Sequence, residues 1–133
     1  MTTKKKTSKT EKLLEALRSG DVDVRCRAAD NPNATPEVLL IALKDKNEWV
    51  RENAASNRNA TPEVLLVALK DKDCQVRMNA ADNPKIKSLN LSTDKWLELV
   101  AGGFFEGNLK NVPPHVKKDP RYGSIRLLSK LVQ

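Results

Sequence analysis

Apolar residues recur along this chain in two alternating patterns, and both have the period of a helix. In residues 35–43, Leu39, Leu40 and Leu43 make an i, i+1, i+4 stripe. Ahead of it stand Thr35, an N-cap type, Pro36, suited to a first helical position, and Glu37, which complements the helix dipole. In residues 48–57, Val50, Ala54 and Asn57 fall on one face, flanked by Arg51 and Ala55, with Asp45 or Asn47 available as the cap. Asn31-Pro32 and Asn83-Pro84 end this second kind of helix, because proline disfavours helical backbone at the residue before it. No segment alternates with the period of two that a half-buried strand needs. The pattern predicts short helices in pairs and no sheet.

The pairs themselves repeat. Val24-Arg25, Val50-Arg51 and Val76-Arg77 stand 26 residues apart, each followed by an alanine pair and then by Asn31, Asn57 or Asn83. Residues 35–60 and 61–86 are identical at 17 of 26 positions, and Glu11, Leu13, Leu14, Ala16 and Leu17 carry the register backwards. Two-helix units that cannot bury their apolar faces alone do so by stacking, and the small alanine pairs permit close approach. The expected fold is all-α, an α-solenoid.

The strings Leu-Leu-x-Ala-Leu-Lys-Asp-Lys and Val-Arg-x-x-Ala-Ala-x-Asn-Pro-x-x-Thr-Pro-Glu resemble the leucine-rich repeat variant family, HEAT-like short α-solenoid repeats, over about residues 8–90. The resemblance implies a right-handed superhelix whose units pair an α-helix with a second helix, short and possible as 3₁₀. It implies little about function, since repeat folds host many roles. A member of that family carries a cysteine-ligated iron–sulfur cluster ahead of its repeats; here no cysteine precedes Cys26, and no cofactor is expected. The expectation is a right-handed α-solenoid of about three 26-residue two-helix repeats with a non-repetitive helical C-terminal cap. Its segments are a basic N-terminal arm at 1–10, the solenoid at 11–101 and the cap at 102–133.

The ends of the stack read differently from its middle. Lys12 and Glu15 stand where the next repeat has Val38 and Ile41, so the first helix has a polar outer side, as a terminal repeat should. After Thr35 and Thr61 the threonine register slips to Thr93, with an insertion around residues 86–91. Residues 93–101, with Trp96, Leu97 and Val100, predict one more helix of the first kind, stopped by Gly102-Gly103. Pro113-Pro114 and Asp119-Pro120 break the tail, and Ser124 is the expected cap of a last helix presenting Ile125, Leu128 and Leu131.

The repeats can be compared with one another. Positions held constant are those that stacking requires, and positions that differ are free to face solvent or a partner. At 100° per residue, Glu48, Trp49, Glu52, Asn53 and Ser56 lie opposite the constant arc. Their counterparts are Val22, Asp23, Cys26, Arg27 and Asp30 in the first copy, and Cys74, Gln75, Met78, Asn79 and Asp82 in the third. This variable arc carries Arg27 against Asp23, Asp30, Glu48, Glu52 and Asp82, which is not a surface built for phosphates. Trp49 stands where the other copies have Asp23 and Gln75, and tryptophan is enriched among interface hot spots. Packing on a neighbouring loop or on the tail is the competing reading of Trp49. The ladder Arg25, Arg51 and Arg77 has a structural reading: Arg51 with Asp45, and Arg77 with Asp71, bridge adjacent units, and charge-assisted hydrogen bonds to loop carbonyls suit the planar guanidinium.

Charge sharpens the picture. The 133 residues carry 24 Lys+Arg and 17 Asp+Glu, a net +7. Residues 1–12 hold +4 and residues 110–133 hold +5, so the body between is at −2. No apolar run approaches membrane length, and residues 1–10 lead into no apolar h-region, so a cytoplasmic protein with no membrane association is expected. Cys26 and Cys74 fit neither a disulfide framework nor a metal clip, His115 has no partner in sequence, and no P-loop, Gly-x-Ser-x-Gly, His-Glu-x-x-His or Cys-x-x-Cys is present. Neither an enzyme nor a metal site is expected. Some DNA glycosylases of alkylated bases are built on HEAT-like repeats, but they need a longer stack with a basic concave face. The preferred reading is a protein-interaction module using Trp49, Glu52, Asn53, Arg27, Gln75 and Asn79. The alternative is nucleic-acid binding through the basic arms, Lys4, Lys5, Lys6, Lys9, Lys117 and Lys118, by counterion release. The competing reading of the arms, Lys4 to Lys12 and Lys110 to Lys130, is that they keep the protein soluble or fold back over the acidic arc. With so few repeats, assembly into an oligomer is a further expectation.

Overall fold

The computed structural model describes residues 8–105 and 108–129, and among them the chain is helical, with no strand. Its contacts divide it into two compact units, one ending at Ala60 and one beginning at Thr61.

The first unit contains α1 (Lys9–Ala16), α2 (Val22–Asp30), α3 (Pro36–Ala42) and α4 (Glu48–Ser56). Its helices start in two ways that follow the two sequence patterns. Ser8 and Thr35 each accept, through the side-chain hydroxyl, the N–H three residues on, at the start of α1 and α3. Asp21 and Asn47 accept the N–H two residues on, at α2 and α4. Each cap satisfies a donor the helix cannot use internally and contributes about 1 kcal/mol. α2 packs on α1, α3 and α4, and α3 also touches α1 and α4.

The core of this unit corrects one expectation. On α3 the buried residues are Val38, Leu39 and Ala42, with Leu43 at its end, while Leu40 is 36% exposed. The apolar stripe is therefore i, i+1, i+4, i+5 beginning at Val38, and Leu40 and Ile41 turn outward. α1, α2 and α4 bury a stripe one position broader and earlier than the leucines alone suggest. The second helices are α-helical throughout, not 3₁₀.

The second unit contains α5 (Pro62–Leu69), α6 (Cys74–Asp82), a 3₁₀ turn over Pro84–Ser88, α7 (Thr93–Ala101), α8 (Pro114–Lys117) and α9 (Tyr122–Ser129). Thr61, Asp73 and Ser92 cap α5, α6 and α7. The 3₁₀ turn fills the predicted insertion and packs its Ile86 fully buried between α5 and α6. On α7, Trp96, Leu97, Leu99 and Val100 are buried, and the Trp96 ring stacks on Phe105 with centroids 6.2 Å apart. Gly102 ends α7 and Gly103 turns the chain with φ of 74°, a conformation glycine adopts without strain.

Ser124 lies inside α9 and does not cap it. The helix starts instead from a turn at Asp119, whose carbonyl accepts the Tyr122 N–H at 3.0 Å while its carboxylate accepts the Arg121 N–H, Nε and Nη2, each at 2.9 Å. Arg121 Nη1 reaches Asp94 on α7 at 2.8 Å, and α9 packs on α7. Ile125 is half-buried, and Leu131 lies outside the described residues.

Candidate functional site

In the first unit α2 and α4 lie side by side and are tied at both ends. At their N-terminal ends, Arg25 donates through Nη1 to the Ser19 carbonyl at 2.8 Å and through Nε to the Asp45 carboxylate at 2.9 Å. Both side chains of this ion pair are about nine-tenths buried. The two later arginines meet the expected aspartates, through a loop carbonyl. Arg51 Nη1 donates to the Asp45 backbone carbonyl at 2.8 Å, and Arg77 Nη1 to that of Asp71 at 2.7 Å. The position six residues before the arginine supplies a carbonyl, and the Asp45 carboxylate serves the arginine of the preceding repeat.

At their C-terminal ends, the buried Asn57 donates through Nδ2 to the carbonyls of Ala29 and Asn31, at 2.9 and 3.0 Å. Its Oδ1 accepts the Asn59 N–H at 2.8 Å, and Asn59 Nδ2 reaches the Pro32 and Ala34 carbonyls at 2.7 and 2.9 Å. The last turn of α2 would otherwise present orphan carbonyls. Burial raises the Cys26 thiol above its ordinary value, with the nearby Asn53 side chain working in the lowering direction.

With Val50, Arg51, Ala54 and Ala55 buried, α4 turns Glu48, Trp49 and Ser56 outward, and Glu52 and Asn53 are half-buried at the edge of the same face. Trp49 is 59% exposed, so it does not pack under a loop of its own unit. Its place is set by the Asn47 cap, which accepts the Trp49 N–H at 2.9 Å. Beside it α2 exposes Asp23, Arg27 and Asp30. Four of the six candidate partner-binding residues are thus on these two adjacent helices: Trp49, Glu52 and Asn53 on α4 and Arg27 on α2. At the C-terminal edge of this face a hollow of about 380 Å³ is lined by Asp30, Pro32, Ser56, Asn57 and Arg58.

The other two, Gln75 and Asn79, are on α6 in the second unit, where Gln75 Nε2 donates to Asn79 Oδ1 at 2.9 Å. With Met78, Asp82 and Asn108 they line a hollow of about 180 Å³. Asp82 accepts from Lys110 and from Asn108 Nδ2, and the Lys110 ammonium holds its carboxyl below the usual range. Here a basic residue of the tail folds onto the acidic arc. Next to it the buried Asn111 donates through Nδ2 to the Ala81 carbonyl at 2.8 Å, as Asn57 does to Ala29. Lys110 does what a basic tail folded back over the acidic arc would do. Asn108 and Asn111 were not legible as site residues, and for Asn111 the one signal was the equivalence of Ala81 and Ala29, whose carbonyls each need a donor.

Of the basic residues, Lys9 opens α1 and is exposed, and Lys117 and Lys118 are exposed at the end of α8. Lys4, Lys5 and Lys6 lie outside the described residues. Among the described residues no group of His, Cys, Asp or Glu is arranged to hold a metal, and no helix is long and apolar enough to cross a membrane. The chain matches no family model, no curated protein and no solved structure.

Proposed function

We propose that this chain is a non-enzymatic, cytoplasmic protein-interaction module. In this reading it is a right-handed α-solenoid of about three 26-residue repeats, of the leucine-rich repeat variant kind, closed by its helical tail. It takes a partner protein on the variable face of its second helices. The observation that supports this best is Trp49: a large indole left 59% exposed on a face whose opposite side is fully buried. Burying such a ring against a partner gives large contact area at small entropic cost, and truncating a hot-spot tryptophan costs about 2 kcal/mol or more. The test is affinity capture with the full chain and with Trp49→Ala, followed by titration of whatever the wild type retains. Trp49→Ala should weaken that partner by about 30-fold, which is the same 2 kcal/mol, and leave the thermal midpoint of the protein unchanged. A partner bound equally by both would remove the anchor.

A second reading, nucleic-acid association through the basic ends, is supported by the exposure of Lys9, Lys117 and Lys118. It predicts binding that falls steeply with salt and ignores Trp49.

A further inference from the structure

The face that carries Trp49 also says what kind of partner suits it. Because Arg25–Asp45 and Asn57 tie α2 to α4 at both ends, the outward residues of the two helices are held in register. Asp23 occupies on α2 the repeat position that Trp49 occupies on α4. Glu52 follows Trp49 by three residues and so lies one turn along the same side, and Glu48 precedes it. Asp30 stands at the far end of α2. The opposing charges are Arg27 on the face itself and Arg58 at its edge. The side of the two helices that carries the indole thus also carries carboxylates from both, and they outnumber the cations with the exposed Lys46 ahead of α4 counted too.

We infer that the partner segment seated on the α2–α4 face is cationic: a lysine- or arginine-bearing peptide whose charged group lies over the Trp49 ring. This rests on the reading of that face as an interaction surface. The indole face is electron-rich and attracts a cation, arginine best of all through its flat guanidinium. The exposed Asp23 and Glu48 supply acceptors for the donors that such a group keeps when it leaves water. An anionic partner would meet like charge here. A purely apolar one would strip water from the carboxylates and return no hydrogen bond.

The test uses the full chain and fluorescein-labelled oligo-arginine, oligo-glutamate and oligo-serine peptides, read by anisotropy at about 0.01 M and about 0.15 M salt. Oligo-arginine should bind, more tightly at the lower salt. Its affinity should fall about tenfold or more in Trp49→Ala and in the triple variant Asp23→Asn, Glu48→Gln, Glu52→Gln. Trp49→Phe should retain part of it. Indifference of oligo-arginine to both variants would overturn the inference. So would binding of oligo-glutamate or oligo-serine that is lost with Trp49→Ala, or self-association of the chain abolished by that variant, which would seat a second copy on the face. If the natural partner is lost with Trp49→Ala while oligo-arginine does not bind, the cationic class falls and the interaction face stands. If the natural partner ignores Trp49→Ala, the face itself falls.

Discussion

Replacing Asn57 by alanine should be among the most costly single changes in the first unit, although it removes only an amide. The side chain is 3% exposed and makes three hydrogen bonds: two from Nδ2 to the Ala29 and Asn31 carbonyls, and one accepted by Oδ1 from Asn59. The Ala29 bond is buried, so its loss strands an acceptor that water does not reach, at about 1–3 kcal/mol. The other two are part-buried, and each contributes about 0.5–1.5 kcal/mol. Losses within one network do not add fully, and about 3 kcal/mol is the expected total. That is a large fraction of the stability of a small protein. Urea unfolding followed by circular dichroism measures it, with Asn31→Ala as the control. The Asn31 side chain is half-buried and accepts only the exposed Asn33 N–H, so its loss should cost about 1 kcal/mol or less. Asn57→Asp should be worse than Asn57→Ala, because a carboxylate oxygen would then face two carbonyl oxygens. Equal midpoints for Asn57→Ala and Asn31→Ala would refute the assignment of Asn57 as the tie between α2 and α4.

Two further outcomes follow from the charges and thiols. The Asp119 carboxyl is held at about 2, against 3.8 for the free group, chiefly by its hydrogen bonds with Arg121. Its folded value is the lower one, so the unfolded chain takes up more protons. The support it gives the start of α9 is therefore complete above about pH 4 and lost as pH falls through about 2. The thermal midpoint of wild type should exceed that of Asp119→Asn at neutral pH, with the gap closing across this acid range; a constant gap would show that charge is not the cause. For the thiols, Cys74 is exposed at the start of α6, whereas Cys26 is partly buried with a raised thiol value. A maleimide at neutral pH should label Cys74 first, as mass spectrometry of the quenched time course would show, and faster labelling of Cys26 would contradict the described burial.

How legible this was depended on whether a residue acts within its own repeat or outside it. The helix starts could be read because a cap acts over two or three residues, and Thr35, Asn47 and Thr61 announce themselves ahead of their apolar runs. The buried arc of the second helices could be read because copies share it. Leu40 could not, because an exposed leucine is common and nothing in its own pattern marks it as outward. Nor could the partner of Arg25: Asp45 lies 20 residues on, and both Asp45 and the carbonyls nearby offer acceptors of equal chemical merit. Asn111 sits off the 26-residue register because the 3₁₀ turn intervenes, so its likeness to Asn57 is one of geometry and not of spacing. Of the candidate face, the exposure of Trp49 was legible. The fixing of α2 against α4, which gives that exposure a neighbourhood, was not.

The reach of the Asn57 amide has a consequence for synthesis. A helix whose last carbonyls are satisfied from within is complete once it has left the ribosome. α2 is not: Ala29 and Asn31 wait for a donor that emerges 28 and 26 residues later, and Ala81 waits 30 residues for Asn111. Until then these carbonyls are open to water, and the helix end frays. α2 and α6 are thus each finished by what comes after them, with a lag of about one repeat along the nascent polypeptide. A pause in translation within that lag leaves the end of the helix open.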